Sequence, residues 1–109
     1  MVFFNKNQIE ELHHLYRANL VNSCSGYKSA NLIGTRSAEG VSNVAIFSSV
    51  IHLGSDPALL GFVLRPATVI RNTYDNIKKT KYYTINHIHQ EILADAHHTS
   101  AKYDQKISE

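Results

Sequence analysis

The run Asn43-Val-Ala-Ile-Phe-Ser-Ser-Val-Ile-His-Leu-Gly-Ser-Asp-Pro57 constrains this chain more than any other stretch. Apolar residues dominate it, two adjacent serines interrupt it, and a Gly-Ser-Asp-Pro turn ends it. A second apolar run, residues 58–64, follows at once and delivers Arg65-Pro66, with Arg71-Asn72-Thr73 soon after. Hydroxyls on a rigid strand and guanidinium groups close to a helix start suit a phosphorylated, flat, hydrogen-bonding ligand.

A chain of 109 residues is enough for one domain with a modest core. Its 43% hydrophobic and 18% charged residues are ordinary for a globular protein. A net charge of +2, with seven histidines counted neutral, gives no reason to expect nucleic acid as a partner. Lys78, Lys79 and Lys81 form the densest basic run, and a solvated helix end accounts for them. The single cysteine, Cys24, has no partner for an internal disulfide, which points to a reducing compartment and a cytoplasmic location. Met1-Val-Phe-Phe4 is cut short by Asn5-Lys6-Asn7, well before a secretory apolar region is reached. No run approaches the roughly 20 apolar residues of a membrane span, so no membrane partner is expected.

The spacing of Ile9, Leu12, Tyr16 and Leu20 predicts a first helix, with Asn7 as its cap and Glu10 reaching back in a capping box. Residues 27–35 read as a strand, with Gly34 a bulge or a site of close approach. Residues 36–40 read as a turn and 41–51 as a second strand, paired antiparallel with the first. Residues 58–64 are nearly all apolar, which predicts a strand covered on both faces. Ile70, Tyr74 and Ile77 predict a helix over 68–80, residues 81–88 return to β character, and 91–98 read as a helix with Ile92, Leu93 and Ala96 inward. The tail from Ser100 is polar. This order predicts a mainly β, α+β fold, a small barrel or a mixed sheet rather than a doubly wound parallel sheet.

Asn43, Phe47, Ser48-Ser49 and Asp56-Pro57, followed by an apolar strand, Arg65, Arg71-Asn-Thr73 and Tyr82-Tyr-Thr-Ile-Asn86, resemble the flavin reductase-like family. Gly26-Tyr-Lys-Ser-Ala-Asn-Leu-Ile-Gly-Thr35 resembles a bacterial branch of it. The resemblance covers nearly the whole chain. It implies an antiparallel split β-barrel of the FMN-binding type, in a single domain over 1–109. Family members run longer, so the barrel is expected to be incomplete at its C-terminal side. It further implies FMN as cofactor, NAD(P)H as possible cosubstrate, and a homodimer with the flavin nucleotide near the subunit boundary. Reducing equivalents would pass from NAD(P)H through flavin to an acceptor. The alternatives are a non-catalytic flavin-binding module, an inactive fragment of such a protein, or a pyridoxamine-phosphate-oxidase-like relative sharing the barrel. For the last, no basic constellation argues in favour.

By the same resemblance Ser48 and Ser49 border the flavin, Asn31 lies near the edge of its ring system, and His52 helps shape the pocket where many members carry a small hydroxyl residue. Arg71, Arg65 and Thr73 suit the phosphate, through paired charge-assisted hydrogen bonds and a hydroxyl. The plainer readings stay open: strand hydroxyls, surface arginines, a strand-edge asparagine. Adjacent serines on a strand point to opposite faces, so only one would meet a given ligand through its side chain. No side chain is required as acid or base, because the cofactor carries the redox chemistry. His87 and His89 share a strand face, but with His97, His98, His13 and His14 they meet no zinc-ligand spacing. Surface or capping roles explain them. Cys24 has no motif partner and reads as an incidental or buried thiol.

Overall fold

The computed structural model describes residues 1–65 and 72–101. Two short helices come first, α1 (Lys6–Glu11) and α2 (His14–Ser23). The expected single helix breaks at Leu12 and His13, whose ψ angles of 142° and 135° are extended. Arg17 stabilises the break: its guanidinium donates to the carbonyls of Glu10 (2.7 Å) and Leu12 (3.4 Å), at the end of α1 where helix carbonyls lack partners. The capping box lies two residues earlier than expected. The Asn5 side chain accepts from the Gln8 N–H, and the Gln8 side chain accepts from the Asn5 N–H, each at 2.9 Å. Asn5-x-x-Gln8 and Asn7-x-x-Glu10 satisfy the same pattern, so the pattern alone did not choose between them.

Strands β1 (Asn31–Arg36) and β2 (Ser42–Phe47) form the expected antiparallel hairpin. Its turn is closed by Ser37, whose N–H donates to the Val41 carbonyl (2.8 Å) and whose hydroxyl accepts from the Val41 N–H (3.1 Å). Gly40 takes φ +91° there, a left-handed conformation that costs glycine little. Strand β5 (Thr84–His87) pairs antiparallel on the other side of β1, giving the order β2-β1-β5. The register of β1 is unbroken, so Gly34 is a point of close approach and not a bulge.

The expected strand over 41–51 is two strands in two sheets. β2 stops at Phe47, the chain turns at 48–50, and β3 (Ile51–Ser55) pairs with β4 (Ala58–Gly61) in a separate hairpin. The ladder shifts between His52 and Gly54, and the Asp56–Pro57 bond in the turn is cis. An aromatic series joins the sheets. Phe62 meets Phe47 edge-on at 4.9 Å and Tyr83 at 5.1 Å.

Helix α3 (Asn72–Thr80) packs on β1 and β2, and α4 (Leu93–His98), entered through a 3-10 turn at Gln90–Ile92, packs on β2. Among the described residues the buried apolar side chains are Ile33 (0% exposed) and Ala96 (2%). Ile33 sits at the centre of the three-stranded sheet, opposite Ala45 on β2 and Ile85 on β5. The expectation that residues 58–64 are covered on both faces does not hold: Leu59, Leu60 and Val63 are exposed. A two-stranded hairpin has no further layer to cover it, and nothing among the described residues takes that place. Leu93 is likewise exposed, while Ala96 is inward as expected. Neither α1 nor α2 buries a residue. The Cα radius of gyration, 16.5 Å, exceeds the roughly 13 Å of a compact chain of this length.

Candidate functional site at the sheet corner

One end of the sheet gathers four of the residues expected to meet a ligand. Asn31, first in β1, lies opposite Phe47, last in β2, and opposite His87, last in β5. Ser48 and Ser49 follow Phe47 at the corner. The Ser49 hydroxyl donates to the Val63 carbonyl (3.1 Å) and accepts from the Val63 N–H (3.2 Å). That anchors the segment after β4, which carries Arg65 two residues later, against the corner. Ser48 and Arg65 are exposed. The two serines therefore divide their work by corner geometry rather than by alternation along a strand. His52 lies one residue into β3, exposed and opposite Leu60.

Asn31 is fully buried. Its amide nitrogen donates to the Ser29 hydroxyl (3.0 Å), while its Oδ1 has no hydrogen-bond partner among the described residues. An unpaired buried acceptor costs about 1–3 kcal/mol, and this oxygen is closed off from solvent. Lys28, expected on the same strand, precedes β1 and donates to the Asn22 carbonyl.

Thr73 does not join this corner. It lies in the first turn of α3, 5% exposed, and its hydroxyl accepts from the side-chain amide of Asn43 at 3.2 Å. Asn43 is near the start of β2, four residues before Phe47, or about 13 Å along a strand. Arg71, directly before Asn72, lies outside the described residues, so its expected role is not placed.

The side chains that pure sequence reasoning left without a role are Thr35, Asn43 and Asn76. Thr35 and Asn43 are cross-strand neighbours, and Asn76 donates to the Thr35 hydroxyl at 3.1 Å. Thr73 and Asn76 stand three apart on one helix face, each bonded to one member of the strand pair. The available signal was polar residues at alternate positions of a strand face otherwise carrying Ile33 and Ala45.

Among the described residues no group of three or more His, Cys, Asp or Glu could hold a metal ion. His13 and His14 touch each other, with ring centroids 4.5 Å apart. Cys24 is exposed, its thiol donating to the Leu20 carbonyl of its own helix, so the buried reading of it fails. No helix among the described residues is long and apolar enough to cross a membrane.

Residues 25–109 match the flavin reductase like domain. The chain belongs to the flavin reductase-like family. Among solved structures it is similar to a protein described as a flavin reductase with a split barrel domain from Shewanella frigidimarina, at 49% identity and a TM-score of 0.92. That likeness covers 99% of this chain and 53% of the other. It is also similar in fold to nitrilotriacetate monooxygenase component B from Bacillus cereus, at 20% identity and a TM-score of 0.79, over 99% of this chain and 52% of that one. No curated protein sequence matches. The chain thus spans about half the length of these solved relatives. As a flavin reductase-like domain, its separate antiparallel sheets flanked by helices form the α+β split-barrel type of fold, and the described residues do not close a barrel.

Proposed function

We propose that this flavin reductase-like chain binds FMN and works as an oxidoreductase, taking reducing equivalents from NAD(P)H and passing them through flavin to an acceptor. The observation that carries the reading is the corner itself: Asn31, Ser48, Ser49 and Arg65 brought to one end of the sheet in a chain of this family. Asn31 lies beneath the edge of the ring system, Ser48 and His52 line the exposed rim, and Ser49 holds the segment carrying Arg65 in place. Thr73, bonded to Asn43 near the far end of β2, and Arg71, which lies outside the described residues, are the residues proposed for the phosphate. A separation of about 13 Å between Asn43 and Phe47 along β2 suits an elongated ligand with a ring at one end and an anion at the other. Bound flavin supplies hydride acceptance and donation, while the protein binds, orients and shields.

The working form in this proposal is a cytoplasmic homodimer. Exposed Ile51, Leu53, Leu59, Leu60 and Val63 on and beside the β3–β4 hairpin support it, because so many half-exposed apolar side chains on one element call for a covering surface. The exposed Cys24 thiol suits a reducing compartment.

A second reading is a flavin-binding module without turnover of its own. The small core among the described residues favours it. One experiment separates the two. The purified chain is titrated with FMN and its visible spectrum is followed on adding NADH or NADPH. Bleaching of a bound flavin spectrum supports the oxidoreductase, binding without bleaching supports the module, and no binding removes both.

A further inference from the structure

We infer that the N-terminal arm, residues 1–23, is an exchanged interface element. In the homodimer proposed above, on which this rests, the arm of each copy lies on the β3–β4 hairpin of the other. Among the described residues, helices α1 and α2 bury no side chain, and neither is packed on a strand or on α3 or α4. Helices of six and ten residues do not hold together alone in water, where even about 12–15 residues are marginal. The arm is nonetheless built. Asn5 and Gln8 cap α1 reciprocally, and Arg17 fixes the bend into α2 through the Glu10 and Leu12 carbonyls. It presents Phe3, Leu15, Tyr16 and Val21 to solvent. Its placement is not particular to this chain, since the likeness to the Shewanella structure takes in 99% of the residues at a TM-score of 0.92. A pre-shaped apolar element with nothing of its own chain beneath it calls for a surface on another molecule.

The hairpin supplies that surface. Gly61 pairs with Ile51 and stands two residues from Leu59, so these three share one face. Leu53 lies over Gly61, where a β-carbon would come within 2.9 Å of its Cδ1, so the glycine keeps this face low. Ile51, Leu53 and Leu59 form a shallow apolar seat, each of them exposed. The area available fits a second copy as its occupant. The chain exposes 8936 Å², where a folded monomer of this length exposes about 6,000 Å². A permanent dimer covers roughly 1,000–2,500 Å² on each partner, and the surplus accommodates that. Two-fold symmetry makes the arm-to-hairpin contact twice, so both arms and both hairpins are covered in one closed pair.

The test uses the whole 109-residue chain with Cys24→Ser, which removes the native thiol and keeps a donor for the Leu20 carbonyl. Tyr16→Cys on the arm and Leu59→Cys on the hairpin are placed in two differently tagged copies, which are expressed together and treated with a short bis-maleimide. Mass spectrometry is expected to find arm joined to hairpin between copies at several-fold the yield of arm to arm or hairpin to hairpin. Leu15→Lys and Leu53→Lys, both at exposed positions, should each raise the dimer dissociation constant by about tenfold or more in sedimentation equilibrium, with the far-ultraviolet circular dichroism unchanged. Cross-links confined to like positions overturn the inference and leave the homodimer standing. A single chain carrying both Tyr16→Cys and Leu59→Cys that is joined mainly to itself also overturns it, because the arm then lies on its own hairpin. A chain that sediments as a monomer throughout removes the homodimer and this inference together, and leaves the FMN reading to its own titration.

Discussion

Ser49 and Val63 are joined by a two-way hydrogen bond through one hydroxyl, which donates to the carbonyl at 3.1 Å and accepts from the N–H at 3.2 Å. The side chain does here what a facing backbone residue does in a sheet, at a place where the sheet has ended. It ties the corner after β2 to the segment after β4 and so holds the two sheets in one arrangement. Ser49→Ala removes both bonds. Val63 is exposed and water replaces part of the loss, so a destabilisation of about 1–2 kcal/mol is expected. Ser48→Ala, on an exposed side chain, is expected to stay within about 0.5 kcal/mol. Urea unfolding of the two variants measures the difference, and equal effects would show that Ser49 has no such role.

Gly34 faces Thr84 across the β1–β5 ladder, and a β-carbon on Gly34 would lie 2.6 Å from Thr84 Oγ1. Threonine is stiff about its first side-chain torsion, so the clash is not relieved freely. Gly34→Ala is expected to cost about 1–3 kcal/mol. Adding Thr84→Ala should recover most of that, and a double-mutant cycle reads the coupling. Simple additivity would place the cost of Gly34→Ala in the backbone instead.

Lys81 ends α3 with φ 68°, its N–H donating to the Ile77 carbonyl at 2.9 Å. Glycine is the residue that takes this left-handed closing position without strain. Lys81→Gly is expected to raise stability by about 0.5–1 kcal/mol, seen as a higher thermal midpoint. A lower midpoint would mean that the lysine side chain contributes more than its backbone strain costs.

Glu39, in the β1–β2 turn, has its carboxyl held below the ordinary value. A hydrogen bond from its own backbone is the largest cause, followed by one from the Ser37 side chain, with the charge of Lys79 on α3 adding to both. A carboxyl whose folded value is depressed contributes stability above its unfolded value and loses it as pH falls through the folded one. The turn should therefore loosen only as pH falls below the ordinary carboxylate value. Ser37→Ala should move the Glu39 titration upward, with a smaller upward move for Lys79→Ala that shrinks in high salt. Carboxyl NMR titration follows each, and a Glu39 titration untouched by Ser37→Ala would remove the hydroxyl from the account.

Arg71→Ala should weaken FMN binding by about 1.5–3 kcal/mol, the worth of a hydrogen bond to a charged group. Riboflavin binding should not change. An unaltered FMN titration takes Arg71 out of the phosphate site.

Alternating and turn-forming residues over 31–47 carried the hairpin, and the Gly-Ser-Asp-Pro turn carried the boundary between β3 and β4. Both are legible because they depend on neighbours a few residues away. The capping box was legible as a kind but not in register, since two overlapping asparagines satisfy the same local rule. The break between α1 and α2 was not legible, because it depends on an arginine reaching back to carbonyls five and seven positions earlier.

What the amino-acid order determined alone was the first hairpin, the Gly-Ser-Asp-Pro turn and the motif placing the chain in its family, because backbone preference and apolar spacing act over one or two turns of chain. What only the tertiary structure decided was which polar side chains meet. The Asn43–Thr73 and Thr35–Asn76 bonds join residues 30 and 41 positions apart, and the Ser49–Val63 clamp joins two that are 14 apart. No local pattern specifies such pairs. They exist because α3 comes down on one face of β1 and β2 and because β2 turns aside at its serines. Those two events are settled by packing across the whole domain.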